Sequence, residues 1–151
     1  NGAFGEVWQA VDSVSGRVVA IKLINLERSG LPQSVIEEEV QTLQTVGRHP
    51  HVVELLNVSY VTSDAGPSAR ITDVALIMEF AAGGGLFERL VAEGYYTEVL
   101  ASSIMRQIAL AVYHCHSRGI LHRDIKPDNV NGRRGTRTGI CPAKRARAWM
   151  P

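Results

Sequence analysis

The sequence contains no apolar run long enough to cross a membrane as a helix, and residues 1–5 do not show the pattern of a signal peptide. It has only two cysteines, Cys115 and Cys141, which are too few for the disulfide framework of a small secreted domain. We therefore expect no membrane partner and a reducing setting, either the cytoplasm or the nucleus.

Acidic residues are missing from the end of the chain, since none follows Asp128. Residues 1–130 hold 10 Lys and Arg residues against 15 Asp and Glu residues, a net charge of −5, whereas residues 131–151 hold 6 basic residues and no acid, a net charge of +6. This last segment also lacks apolar periodicity and is rich in Gly, Arg and Pro. The composition predicts a folded domain over residues 1–130 and a disordered basic tail over residues 131–151.

The residues that are present favour an α+β domain with a core, because 45% are apolar and only 21% are charged. Alternating or continuous apolar residues predict strands over residues 7–11, 17–26, 52–61 and 74–80, and the turn at residues 12–16 makes the first two a hairpin. The continuous run at residues 74–80 is typical of a strand buried on both faces. Helical spacing of apolar residues predicts helices over residues 32–46 and 97–117. The second has Thr97 as its expected N-cap and an apolar stripe of Leu100, Ile104, Ile108 and Val112.

The stretch at residues 122–129 carries more chemistry than any other part of the chain. It contains His122, Arg123, Asp124, Lys126 and Asn129. Pro127 prevents helix at its centre, so these side chains are expected on a loop, where catalytic groups are commonly presented.

Two patterns near the start of the chain have an alternative structural interpretation. Gly2 and Gly5 are typical of a backbone that approaches a phosphate, but also of an ordinary turn at a strand end. Lys22 lies mid-strand between Ile21 and Leu23, where it is either a solvated lysine or a buried one that requires a paired charge.

Together these patterns resemble the eukaryotic protein kinase family. Residues 122–129 match H-R-D-x-x-x-x-N, Val19-Ala20-Ile21-Lys22 matches V-A-I-K, and residues 2–7 match the end of G-x-G-x-x-G-x-V. Residues 83–129 are most similar to the calcium/calmodulin-regulated group. The resemblance implies a kinase-like fold: an antiparallel β-sheet N-lobe with helix C, plus the first helices of an α-helical C-lobe.

The resemblance also assigns roles to single residues. It makes Asp124 the base for a protein hydroxyl, Lys126 the contact to the γ-phosphate and Asn129 a ligand of Mg²⁺. Lys22 would bind the α- and β-phosphates of ATP, and Glu39 would pair with Lys22. The remaining positions implied at the ATP site are Gly2, Ala3, Phe4, Gly5, Val7, Ala20, Met78, Glu79 and Ala81.

The chain departs from the family pattern in two places. The Asp-Phe-Gly motif, whose Asp binds the principal magnesium ion, cannot be present because no acid follows Asp128 and no Phe follows Phe87. Gly85 stands where many kinases that prefer basic substrates carry a Glu, and Glu88 is the nearest candidate to replace that carboxylate.

Three functions remain open from the sequence. The preferred one is an ATP-dependent protein Ser/Thr kinase, present here as a fragment that is inactive alone, with a protein substrate and, by resemblance only, a calcium-linked regulator. The alternative is a catalytically dead kinase-like module that binds nucleotide or protein. Nucleic-acid binding through the Arg-rich tail ranks last, because the tail has no zinc-ligand spacing and only Trp149 as an aromatic residue.

Overall fold

A computed structural model of the chain describes residues 6–63, 70–132, 138–140 and 147–148. They form two compact units. The first contains the described residues of Asn1–Gln41 and Leu55–Phe80, and the second contains those of Thr42–Glu54 and Ala81–Pro151. Within the described ranges, none of the helices combines the length and apolar character needed to span a bilayer.

The first unit is built on a four-stranded antiparallel sheet. Its strands are β1 (Glu6–Val11), β2 (Val18–Asn25), β3 (Leu55–Thr62) and β4 (Ile71–Glu79), in the spatial order β1-β2-β4-β3. The turn between β1 and β2 is closed by Asp12, which accepts from the Val14 N–H at 3.1 Å, and by Gly16 at φ +68°. The antiparallel sheet predicted for the N-terminal part is confirmed.

The two central strands bury one face more completely than the other. Val74, Leu76 and Met78 on β4 are buried, whereas the alternate residues Ala75 and Ile77 are half-buried. The prediction that this apolar strand is buried on both faces is therefore wrong. In an antiparallel sheet covered on one face, alternate side chains differ in exposure even when all of them are apolar.

Helical segments follow β2. The short helix α1 (Leu26–Ser29) begins at Asn25, whose side chain accepts from the Arg28 N–H at 2.8 Å. The longer helix α2 (Gln33–Val46) matches the predicted amphipathic segment. Its buried apolar residues recur at helical spacing and are Ile36, Val40, Leu43 and Val46.

The second unit contains the helices α3 (Leu86–Glu93) and α4 (Glu98–His116). Helix α4 begins at the predicted N-cap Thr97, whose hydroxyl accepts from the Leu100 N–H at 3.3 Å. It buries Ile104, Ala111 and Cys115. Of the predicted stripe only Ile104 is fully buried, and Leu100, Ile108 and Val112 are half-buried.

Short strands complete the second unit. The strand β5 (Ile120–Leu121) pairs with β8 (Arg147–Ala148), and a 3-10 turn at Pro127–Asn129 leads into the hairpin of β6 (Val130–Gly132) and β7 (Thr138–Ile140). Its core brings side chains from four regions of the chain together. The buried side chains of this core are those of Val46, Val52, Ala111, Cys115, Ile120, Val130 and Ile140.

The hairpin differs from the disordered tail predicted from residue 131 onward. Thr138 and Ile140 are each 2% exposed, and Ile140 exchanges backbone hydrogen bonds with residues 51–53, namely with the His51 carbonyl and the Val53 N–H, both at 3.0 Å. Pairing between residues far apart in sequence supplies what local composition does not indicate. The domain boundary at residue 130 and the state of the tail as a whole stay predictions.

Two glycines allow the hairpin to contact the segment before α3. The Gly83 N–H donates to the Gly132 carbonyl at 2.9 Å, and the Gly132 N–H donates to the Gly84 carbonyl at 2.8 Å. A Cβ at Gly83 would lie 2.7 Å from the backbone carbon of Gly132, and one at Gly132 would lie 2.9 Å from the Gly83 oxygen. Only glycine fits at either position without a shift of backbone.

We predict that Gly83→Ala lowers the free energy of unfolding by about 1–3 kcal/mol, because the added methyl group overlaps backbone atoms that cannot rotate away. Urea denaturation followed by circular dichroism measures this change. Gly85→Ala is the matched control, because a Cβ there meets only the Glu88 side chain at 3.5 Å. Equal midpoints for Gly83→Ala and the control would contradict the close contact.

Candidate active site

Lys22 forms a buried ion pair with Glu39. The lysine lies on β2, opposite Leu76 of β4, and its ammonium nitrogen is 2.6 Å from Glu39 Oε1 on α2. The two side chains are only 11% and 12% exposed. Removing a cation from water is costly unless a charge compensates it, so the pair accounts for a lysine at this position. The solvated-lysine interpretation does not fit this geometry.

The first unit also holds other predicted ATP-site residues close to Lys22. Ala20 of β2 pairs with Met78 of β4. Two positions along the same strands, Lys22 of β2 pairs with Val7 of β1 and with Leu76 of β4. Paired residues, and those two positions away, share a face, so Val7, Ala20 and Met78 lie on the face that carries Lys22. Glu79 ends β4 on the alternate face, and Ala81 lies in the second unit. The predicted Gly2, Ala3, Phe4 and Gly5 lie outside the described residues.

The loop at residues 122–129 begins with a sharp change of backbone direction. His122 is buried, and its Nδ1 accepts from the Asp124 N–H at 3.3 Å. Arg123 between them has φ +62° and is the one non-glycine residue with positive φ within the described part of the chain. This conformation is uncommon for a residue with a Cβ, and it brings Asp124 back toward His122.

The Asp124 carboxylate is held by two side chains from its own loop. Asn129 Nδ2 donates to the Asp124 carbonyl oxygen at 2.7 Å and to Asp124 Oδ2 at 2.8 Å. The Lys126 ammonium lies 3.6 Å from Asp124 Oδ1. Because a carbonyl oxygen can only accept, the contact fixes which end of the Asn129 amide points at Asp124 and assigns its other end, Oδ1, as the atom available to a cation.

Hydrogen bonding stabilises the charged form of Asp124. The Asn129 amide holds the pKa of the Asp124 carboxyl below its usual value; partial desolvation opposes this, and the Lys126 charge adds to it. Asp124 is therefore ionised at neutral pH. An ionised carboxylate at a loop of this kind can accept the hydrogen bond, and then the proton, of a substrate hydroxyl.

The Glu88 carboxylate, the candidate to replace the Glu missing at position 85, contacts its own helix. Glu88 Oε2 accepts from the Gly85 N–H at 3.2 Å and so satisfies a donor at the start of α3. A role for Glu88 in substrate binding stays a prediction.

His49 and His114 make packing contacts. The rings of His49 and His114 are stacked with centroids 4.3 Å apart, and His114 Nε2 lies 2.8 Å from the Val46 carbonyl. Within the described residues, no group of three or more His, Cys, Asp or Glu side chains has a metal-binding arrangement.

Sequence reasoning does not identify the groups behind the loop. Gln107 on α4 and His51 both contact Thr138 of β7, and Gly83 meets Gly132 of β6. The glycine-rich motif at residues 82–85 is visible in the sequence, but nothing in the sequence links it to Gly132.

The chain belongs to the protein kinase family, since the family model described as "Protein kinase domain" matches residues 1–133. A probable myosin light chain kinase of Dictyostelium discoideum is 37% identical over 129 residues, which are 85% of this chain and 38% of that protein. Calcium-dependent protein kinase 10 of Arabidopsis thaliana is 37% identical over 130 residues, which are 85% of this chain and 22% of that protein. CBL-interacting protein kinase 20 of Oryza sativa subsp. japonica is 40% identical over 136 residues, with 86% and 27% covered.

These similarities confirm the predicted kinase family and agree with the predicted likeness to its calcium-regulated group. The chain spans well under half the length of these three relatives, between 22% and 38%.

We predict that breaking the buried ion pair on one side costs about 3–5 kcal/mol of the free energy of unfolding, because a buried charge is left alone. Glu39→Gln and Lys22→Met are the two single variants, and Lys22→Met/Glu39→Leu removes both charges and should cost less than either. Denaturant titration measures all three. Arg89→Met is the control, because its ion pair with Glu93 is 3.9 Å long and partly exposed and so contributes about 0–1 kcal/mol. Additive single effects in the double variant would contradict the pairing.

We predict that Asn129→Leu raises the pKa of Asp124 toward its ordinary value, and that Lys126→Met raises it less, because the amide is the larger cause. Asp124 titrates lower in the folded protein than in the unfolded one. Its contribution to stability is therefore present above the unfolded pKa and is lost as the pH falls through the folded pKa. Carbon-13 NMR of the Asp124 carboxyl group follows the titration. A larger effect of Lys126→Met would contradict the assignment.

Proposed function

We propose that this chain carries the nucleotide clamp and the catalytic loop of a protein Ser/Thr kinase, which transfers the γ-phosphoryl group of ATP to a protein hydroxyl. The observation that carries the proposal is the Asp124 carboxylate, ionised and fixed by Asn129 with Lys126 beside it. The Lys22–Glu39 pair supports it, because a lysine already charged and oriented is suited to phosphate oxygens.

Each residue has a chemical task in this proposal. Asp124 Oδ orients the substrate hydroxyl and takes its proton as the oxygen bonds to phosphorus. Lys126 balances the charge of the transferred group, and Lys22 binds the phosphates that leave with ADP. The form H-R-D-x-K, with Lys126 in the last position, favours a Ser or Thr hydroxyl as the acceptor.

The fit of the site to Mg²⁺ is partial. The ion would neutralise charge on the phosphates, and the Asn129 amide oxygen is a hard ligand of the kind that it prefers. The family's second protein ligand, however, is an Asp that this sequence does not contain after residue 128. Catalysis by positioning and electrostatics loses most of its rate without that carboxylate. We therefore propose that the 151-residue chain binds nucleotide but transfers phosphate negligibly by itself.

The regulator is part of the same proposal. Two of the relatives are named calcium-dependent and CBL-interacting kinases, and their similarity over 85% and 86% of this chain supports a calcium-linked regulator for the protein to which it belongs. The described residues supply no contact that identifies it.

We expect ATP to stabilise the chain against heating, because a ligand at about ten times its dissociation constant adds roughly 1.4 kcal/mol to the folded state. Lys22→Met should abolish the shift of the melting temperature, whereas Asp124→Asn and the exposed control Arg28→Met should retain it. The titration is run with Mg²⁺ and with a chelator, beside an assay of label transfer from γ-labelled ATP to casein.

The outcomes separate the two functions. A shift that persists in the chelator without transfer favours the nucleotide-binding module. Transfer that requires both Lys22 and Asp124 would contradict the proposed inactivity of this chain. An ATP shift that is absent, or that is unchanged in Lys22→Met, would contradict the nucleotide site itself.

A further inference from the structure

Gln107 of α4 contacts the first residue of β7, although the proposed chemistry does not use Gln107. Its side-chain oxygen Oε1 accepts from the Thr138 N–H at 2.7 Å and from the Thr138 hydroxyl at 3.3 Å. Thr138 is 2% exposed, so without these bonds both donors would be buried with no acceptor. An acceptor on α4 at this position therefore fixes the first residue of β7.

Residues 51–53 also hold the same strand. His51 Nδ1 lies 3.1 Å from the Thr138 carbonyl oxygen and, because that oxygen can only accept, the imidazole donates. At the other end of β7, the Ile140 N–H donates to the His51 carbonyl at 3.0 Å, and the Val53 N–H donates to the Ile140 carbonyl at 3.0 Å. With both ends bonded, β7 cannot slide along its neighbour without breaking several hydrogen bonds.

The register of β7 sets the position of the residue that holds Asp124. Val130 pairs with Ile140, and Gly132 pairs with Thr138. Val130 is 2% exposed and directly follows Asn129, the residue whose amide contacts Asp124. A shift of β6 along β7 by one residue would turn Val130 out of the core, so the fixed position of β7 determines the register of β6, and Asn129 is placed with it.

We propose that Gln107 is a positioning residue of the catalytic loop: by holding Thr138 it fixes the register of β6 and β7 and thereby places Asn129 against Asp124. The kinase chemistry of Asp124 and Asn129 rests on the proposed function. The positioning itself does not, and it is tested on the protein without nucleotide, so a failure of one can be distinguished from a failure of the other.

The test compares variants at Gln107 by hydrogen exchange of the Asn129 side-chain amide, whose two bonds to Asp124 protect it from solvent. Gln107→Met has nearly the same size and removes the acceptor, so Asn129 should move and its amide protons should exchange several-fold faster. Gln107→Glu keeps an oxygen that can accept both bonds and should restore slow exchange. Ser103→Ala is the control on the same helix, because Ser103 contacts only the Gln107 nitrogen Nε2, at 3.5 Å.

Nitrogen-15 NMR of the Asn129 side-chain amide, assigned by the loss of its signals in Asn129→Leu, is recorded beside thermal unfolding for each variant. A merely structural role would lower the melting temperature of Gln107→Met and leave the Asn129 exchange as in the unmodified chain, and that result would overturn the proposal. If Gln107→Met does not fold, Thr138→Val removes only the hydroxyl bond and keeps the strand. It should then speed the Asn129 exchange by a smaller factor, and an unchanged exchange would overturn the proposal equally.

Discussion

The contact between the Asn129 amide and Asp124 is the interaction on which the loop at residues 122–129 depends. One amide group meets both the backbone and the side chain of Asp124, at 2.7 and 2.8 Å, and so fixes the loop and the charge of its acid together. The 3-10 turn at Pro127–Asn129 leads Asn129 back to Asp124, and the next residue, Val130, is buried in the core. The residue that holds Asp124 is thus directly followed by a buried residue of the hairpin.

The two units stabilise charge in different ways, and burial explains the difference. Lys22 is almost enclosed, so only a full opposite charge, that of Glu39, offsets the loss of its hydration. Asp124 is half-exposed, so neutral hydrogen-bond donors and one cation at 3.6 Å are enough to keep it ionised. The first arrangement is sensitive to the loss of either partner, whereas the second depends mainly on the orientation of one amide.

The sequence predicts those parts of this structure whose signal is local. Helices α2 and α4 show their apolar residues at helical spacing, and Thr97 is the N-cap that its residue type indicates. Lys22 and Glu39 meet as the family pattern implies. The strands β6 and β7 have three residues each, too few for a periodicity, and their stabilising contacts come from residues 51–53 and from Gln107. Burial of the tail residues Thr138 and Ile140 therefore follows from distant partners that no property of the tail itself reveals.

The contact between Gly83 and Gly132 constrains how this sequence can change over evolutionary time. Most close contacts in a protein core can be altered in two steps, because enlarging one side chain is compensated by shrinking its neighbour. At this crossing both neighbours are already the smallest residue, and the atoms that a new Cβ would meet belong to the backbone. A second substitution at either position cannot relieve the overlap caused by the first. Both positions must therefore stay glycine for as long as the two segments remain paired.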